Sequence, residues 1–338
     1  MKTTQRLLTL AAALLVTASN LSAQETPTPE FPSYYAAADG KKGAELKTAL
    51  CGILTANHVS LDYGSLWGYF EKTDKRNDGK VWDMYSNKSN FTFGTDQDKG
   101  SGGSTEGDKF NREHSFPNSW FGGVKNSVMY SDLFHLYPTD KLVNNKRGNN
   151  PFGENNGESY KSNGGFSKLG ACTYAGSGAV MCFEPNDIYK GDFARSYFYM
   201  VTRYENELPS WVSYEAYNVT IDGNKYPGLT SWQLSMLMKW SKNDPVSADK
   251  EIPRNNEVAN IQKNRNPFID YPGLEEYIWG SYKDVAFSYN NYQQPTAITT
   301  IRTDRTMHNG VMYNMAGQVV DKSFKGLVIM NGKKYLNR

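Results

Sequence analysis

The sequence predicts an α+β fold, a mostly helical body followed by a small β-rich segment at its C-terminal end. Three features carry that prediction. Apolar residues recur at helical spacing in a series of stretches from Gly43 to Lys263. The last forty or so residues instead alternate in short runs broken at Gly317 and at Asn331-Gly332, as hairpins do. The chain also contains 23 Tyr among 14% aromatic residues, which favours a packed core over disorder.

The elements follow in order. Lys2 and Arg6 precede an apolar run from Leu7 to Val16, and Asn20-Leu21-Ser22-Ala23 offers small residues for cleavage before Gln24. That is the pattern of a secretory signal over residues 1–23, with an apolar run too short to span a bilayer. No later stretch is expected to cross a membrane. Residues 24–44 read as a leader, extended through the prolines of 24–33. Leu46, Leu50, Ile53 and Leu54 mark a helix over Gly43 to Asn57, and Leu66, Trp67 and Phe70 a second stripe. A turn at Arg76-Asn77-Asp78-Gly79 leads to a strand over Val81–Tyr85, then a flexible glycine-rich loop over Lys99–Gly107. Asp132–Asp140 reads as a helix stopped at Pro138. Longer helices are expected over Gly191–Leu208, Trp232–Trp240 and Ile252–Lys263. Composition shifts after Gln293-Gln294-Pro295, which sets a catalytic body over 45–290 apart from a β-rich appendage over 296–338. The appendage is either a unit of its own or a β patch covering the body.

Charge excludes one route to function. Loss of Lys2 and Arg6 with the signal lowers 37 basic residues to 35, against 35 acidic ones. Bulk basicity therefore does not draw this chain to nucleic acid, and any basic groove is local. Cys172 and Cys182 flank a glycine-containing segment that turns back on itself, a candidate disulfide in an oxidising compartment; Cys51 reads as a buried small hydrophobe. No Cys/His spacing suggests structural zinc.

The chemistry concentrates in Asn111-Arg112-Glu113-His114 and, about thirty residues on, Val143-Asn144-Asn145-Lys146-Arg147-Gly148-Asn149. A carboxylate beside an imidazole supplies a hard metal ligand and a proton acceptor together. A downstream amide oxygen completes a metal site, and Arg147 meets an anion. These are the parts of a one-metal phosphodiester hydrolase. Of the other histidines, His58 and His308 read as structural or exposed, and His135 as a second candidate. Glu184, Asp187 and Asp192 surround a helix start, where acidic residues are favoured anyway, and receive no metal role. Asn264-Arg265-Asn266-Pro267 either closes the site with Asn264 and Asn266 amides or forms a helix cap and turn ahead of Pro267.

The run Asn111–Trp120, the run Ser131–Asp140 and the Asn144-Asn145-Lys146-Arg147 stretch resemble the bacterial endonuclease I family. Phe183-Glu184-Pro185, Lys190–Met200, Asp244-Pro245-Val246, Arg254-Asn255 and Gln262–Phe268 extend the resemblance over roughly residues 45–285. The resemblance implies a secreted or periplasmic nonspecific nuclease with a ββα-metal (His-Me finger) core. It implies His114 as general base and Glu113 and Asn144 as ligands to Mg²⁺, with Mn²⁺ or Ca²⁺ as alternatives. Arg147, Asn149 and Arg195 match motif positions, and Arg147 or Arg195 either supports the phosphate or buttresses the site. Asp132 and His135 read as packing or support behind them. The arginine with which the family holds the product phosphate has no counterpart, because only Lys125 stands between Trp120 and Ser131. The expected substrates are DNA and RNA, gripped through phosphates by a monomer and cut to 5′-phosphate ends. The appendage resembles C-terminal sorting segments of bacterial secreted proteins, which implies a route to the cell surface. The competing reading is a noncatalytic nucleic-acid- or glycan-binding surface protein; a weaker one is a phosphodiesterase acting on small molecules.

Overall fold

Leu46, Leu50, Ile53 and Leu54 lie on one face of a helix, and each is buried on α1 (Gly43–Thr55). Burying such a side chain is worth about 1.5–3 kcal/mol. The computed structural model of the chain describes residues 30–295, 312–314, 319–330 and 333–337. The signal residues 1–23, His308 and the appendage turns at Gly317 and Asn331-Gly332 lie outside the described residues.

The second stripe becomes α2 (Leu66–Thr73), with Leu66 and Phe70 inward. At the centre runs α4 (Lys190–Arg203), whose residues from Gly191 to Arg203 are all buried. A helix apolar or hydrogen-bonded all round belongs inside a bundle, and α4 packs against both α1 and α5 (Ser231–Asn243). The body is completed by α6 (Glu251–Gln262), which packs on α2, and by the short α7 (Pro267–Asp270) and α8 (Leu274–Ile278).

Against this bundle lie two small antiparallel sheets. One pairs β1 (Phe110–His114) with β2 (Leu136–Asp140), and α3 (Lys141–Arg147) follows β2 directly and packs on both strands. The other orders β3 (Tyr160–Lys161), β4 (Lys168–Ala171) and β5 (Met181–Glu184). In the appendage β6 (Met312–Asn314), β7 (Val319–Val320), β8 (Gly326–Met330) and β9 (Lys333–Asn337) form a four-stranded antiparallel sheet. The two expected hairpins are both present, joined by pairing of β6 with β8.

Three local expectations are corrected. The stretch Asp132–Asp140 is not a helix: its latter half is β2, buried at every position, with Pro138 opposite Arg112. A short run buried on both faces carries no period that separates a buried strand from a buried helix. Asp140 then starts α3, accepting from the Val143 amide at 3.0 Å, so the helix begins where it was expected to end. Val81–Tyr85 is not a strand, because the Asp83 carboxylate takes the Tyr85 amide at 2.7 Å and bends the chain. The leader is not extended throughout. Residues Ser33–Ala38 form a 3-10 turn in which Tyr35 is buried, its hydroxyl donating to Asp270 at 2.7 Å.

All three cysteines are thiols in the structure. Cys172 and Cys182 nevertheless meet at the β4–β5 hairpin, where their thiols hydrogen-bond each other and the contact pulls Cys172 down to about 6. Two thiols in contact across a hairpin are placed to form a disulfide in an oxidising compartment. Protein recovered from an oxidising medium is expected to titrate one thiol in denaturant, that of Cys51, and to lose about 2–4 kcal/mol on reduction. Three titratable thiols would show that the pair stays reduced.

Candidate active site

β1 carries the site because its neighbours leave one edge open. Phe110 anchors it in an aromatic cluster with Trp67 and Phe91, at ring distances of 5.7 and 5.5 Å. Side chains alternate along a strand, so Asn111 and Glu113 lean one way, Arg112 and His114 the other. At the strand's end both faces open on one cleft of about 280 Å³, lined by Tyr63, Arg112, Glu113, His114, Asn118 and Asn144. Asn145, Gly148 and Asn149 complete its rim, with Gly148 at φ 57° ending α3.

Glu113 is buried, and its Oε1 accepts from the Tyr85 hydroxyl at 2.8 Å and from Arg147 Nη1. Burial raises its pKa, against the lowering effect of the Arg147 guanidinium and of hydrogen bonds from Tyr85, Arg147 and Asn144. Asn144 joins the same group by donating to Asn111 Oδ1 at 2.8 Å.

His114 sits in an aromatic box. Tyr130 and His135 lie 4.6 and 5.4 Å away between ring centroids, and Tyr63 stacks at 5.8 Å. Its Nε2 is 2.8 Å from the Tyr130 carbonyl oxygen, which can only accept, so Nε2 carries the hydrogen. That leaves the Nδ1 lone pair on the side of Asn118, whose Nδ2 is 3.3 Å away. Burial, then the charges of His135, Arg112 and Arg147, hold the imidazole down at about 3. It is neutral at physiological pH, with Nδ1 as its acceptor nitrogen.

A carboxylate oxygen and an amide oxygen beside one cleft are hard donors. They suit a single divalent cation that keeps several waters. Among the described residues no group of three or more His, Cys, Asp and Glu is arranged to hold a metal. A softer or all-protein metal cage is therefore not the arrangement seen there.

The structure brings Glu113, His114, Asn144 and Asn149 to the cleft. Asn149 is on the rim, where its amide donates to Glu215 at 3.1 Å. His135 and Asp132 stand behind it. His135 bonds the Met129 carbonyl at 2.6 Å, and Asp132 accepts from the hydroxyls of Tyr199 and Tyr204, each at 2.8 Å. Four other candidates do not line the cleft. Arg147 is fully buried with all five N–H groups committed, to Glu113, the carbonyls of His114, Ser115 and Asn150, and the Tyr197 hydroxyl. It buttresses Glu113 and has no donor left for a phosphate. Arg195, on α4, is clamped by both oxygens of Glu251 at 2.5 and 2.8 Å and lines a different cavity. Asn264 ties the Leu54 carbonyl to the Tyr199 hydroxyl, and Asn266 caps α7 through the Phe268 amide at 3.0 Å. The cap-and-turn reading of that segment is the one realised. Glu184 and Asp187 pair with Lys190, and Asp192 with Lys250.

Sequence reasoning missed Tyr63, Tyr85, Asn118 and Tyr130. Asn118 lay within the motif run and was open to notice by its spacing from His114. Tyr130 acts through its backbone carbonyl, which leaves no side-chain signature.

Comparison with known proteins identifies the family. Residues 42–273 match the family model described as Endonuclease I. The chain is 35% identical over 263 residues to an extracellular ribonuclease of Bacillus amyloliquefaciens, covering 76% of this chain and 82% of that protein. It is likewise 35% identical over 266 residues to an extracellular ribonuclease of Bacillus subtilis (strain 168), covering 77% and 83%. Glu113, His114 and Asn144, together with the helical body that carries them, fall inside the matched span, and the chain belongs to the endonuclease I family.

Proposed function

We propose that this protein is a secreted endonuclease that hydrolyses phosphodiester bonds of DNA and RNA, uses one Mg²⁺ in a ββα-metal site, and leaves 5′-phosphate ends. The observation that carries the reading is the cleft itself: a neutral imidazole with its acceptor nitrogen turned inward, beside one carboxylate and one amide. Family membership and the extracellular ribonucleases among its relatives support it.

The Tyr130 carbonyl holds Nε2–H, so His114 presents Nδ1 to an attacking water and takes its proton. The water oxygen bonds to phosphorus, the P–O3′ bond breaks with its electron pair going to O3′, which takes a proton from solvent, and the phosphate stays on the 5′ side. Asn118, next to Nδ1, is placed to orient that water. Glu113 and Asn144 would hold the divalent cation, Mg²⁺ in preference to Mn²⁺ or Ca²⁺, which supplies positive charge to the phosphate when bound. Arg147 keeps Glu113 aimed at the cleft.

Supercoiled plasmid and a structured RNA, each incubated with purified protein and Mg²⁺, are expected to be nicked and degraded, and a chelator to stop both. Glu113→Ala is expected to abolish activity and its metal dependence together. Intact plasmid and RNA in the presence of Mg²⁺, Mn²⁺ and Ca²⁺ would overturn the reading and leave a binding protein on the same scaffold.

A further inference from the structure

A phosphodiester entering the cleft brings a negative charge to a wall that already holds Glu113. Of the cleft's lining residues among those described, the one basic side chain is Arg112. We propose that Arg112 is the residue that grips the substrate phosphate, an assignment that rests on the nuclease reading above.

Its geometry differs from that of four arginines packed in the interior; a fifth, Arg203, also lacks a carboxylate partner but is buried over the Tyr204 ring, bonds His58 and does not line the cleft. Arg147, Arg195, Arg254 and Arg265 are each paired with a carboxylate, of Glu113, Glu251, Asp74 and Asp270 respectively. Arg112 makes no ion pair among the described residues. Its guanidinium carbon lies 3.8 Å from the centre of the Tyr63 ring and 4.6 Å from that of Trp67. One N–H, from Nη1, donates to the Tyr63 carbonyl at 2.6 Å. Two rings and a carbonyl thus fix the plane of the guanidinium without neutralising it. No other protein hydrogen bond engages its remaining N–H groups among the described residues. A fixed, planar, half-buried cation with spare parallel donors matches the two nonbridging oxygens of a phosphate.

Position along β1 gives the same answer. Arg112 precedes Glu113 and His114 and leans to the His114 side, with Tyr63 lying against both side chains. A phosphate held by Arg112 is therefore presented to the imidazole, in the cleft that Glu113 and Asn144 also line. Lys125 is exposed and is not among the residues lining the cleft.

The test uses the purified full chain and two neutral variants. Arg112→Met removes the cation. Arg112→Gln removes it while keeping an N–H donor for the Tyr63 carbonyl, and carries the test if Arg112→Met fails to fold. Each is expected to raise the KM for duplex DNA and the inhibition constant of inorganic phosphate about 10–100-fold. In a cleavage-dead His114→Ala background, the further loss of Arg112 is expected to shallow the slope of log binding constant against log salt by about one ion. A residue needed only for packing would leave that slope unchanged. A folded Arg112→Gln protein with unchanged KM, phosphate inhibition and salt slope overturns the assignment while the nuclease reading stands. Failure of the unmodified protein to cut nucleic acid at all would instead overturn the nuclease reading.

Discussion

His114→Ala is expected to lower kcat for plasmid cleavage about 10²–10⁴-fold, the usual contribution of a positioned general base, while leaving DNA binding in place. The expectation rests on two features of the site. The Nε2–H is committed to the Tyr130 carbonyl at 2.8 Å, which fixes the tautomer and turns Nδ1 inward. Burial then keeps the ring neutral by holding its pKa at about 3. Alanine removes the acceptor and also empties part of the box formed by Tyr63, Tyr130 and His135, so some loss of stability accompanies the loss of rate. His114→Asn separates the two effects, because its amide refills part of the box and supplies a polar group without a basic nitrogen. Single-turnover cleavage beside a filter-binding isotherm distinguishes the outcomes. Near-normal cleavage in folded His114→Ala would place the base elsewhere.

How much of this site was legible follows from what each residue does. Glu113, His114 and Asn144 act through their side chains, in motifs whose residue types announce hard-oxygen binding and proton transfer, and all three line the cleft. The helices were legible where an apolar face repeats, as on α1, because the periodicity and the burial have one cause. Legibility failed in a short run buried on both faces. Leu136–Asp140 buries its polar residues with its apolar ones, and tertiary pairing with β1 decided it. Arg147 shows the other limit: an arginine in a motif reads as an anion receptor, whereas its partner here is Glu113 of the same chain. Tyr63 and Tyr85 come from segments far from the motifs and reach the site through packing that no local pattern encodes. The near-neutral composition proved a useful constraint. It required local positive charge, and the cleft meets that requirement with a single lining cation, Arg112, among the described residues.

Arg147→Met is the second large effect, and its argument concerns charge burial. Arg147 and Glu113 are both buried, at 0% and 4% exposure. Removing one partner of such a pair leaves an uncompensated charge and costs about 3–5 kcal/mol. The substitution also takes the Arg147 donors from the carbonyls of His114 and Asn150, while the Ser115 carbonyl keeps the Tyr197 hydroxyl. Urea unfolding is expected to show a midpoint lowered accordingly with an unchanged slope. Activity of the folded fraction is expected to fall about 10–100-fold, because Glu113 loses the contact that aims it. The double variant Glu113→Gln/Arg147→Met separates the terms. With the carboxylate neutralised, the part of the destabilisation due to the lone charge is expected to disappear. The part due to the lost carbonyl hydrogen bonds is expected to remain, and activity to stay lost. If the single variant unfolds at the wild-type urea concentration, or the double variant is no more stable than the single, then Arg147 does not stabilise the site through Glu113, and its burial at the base of the cleft is packing alone.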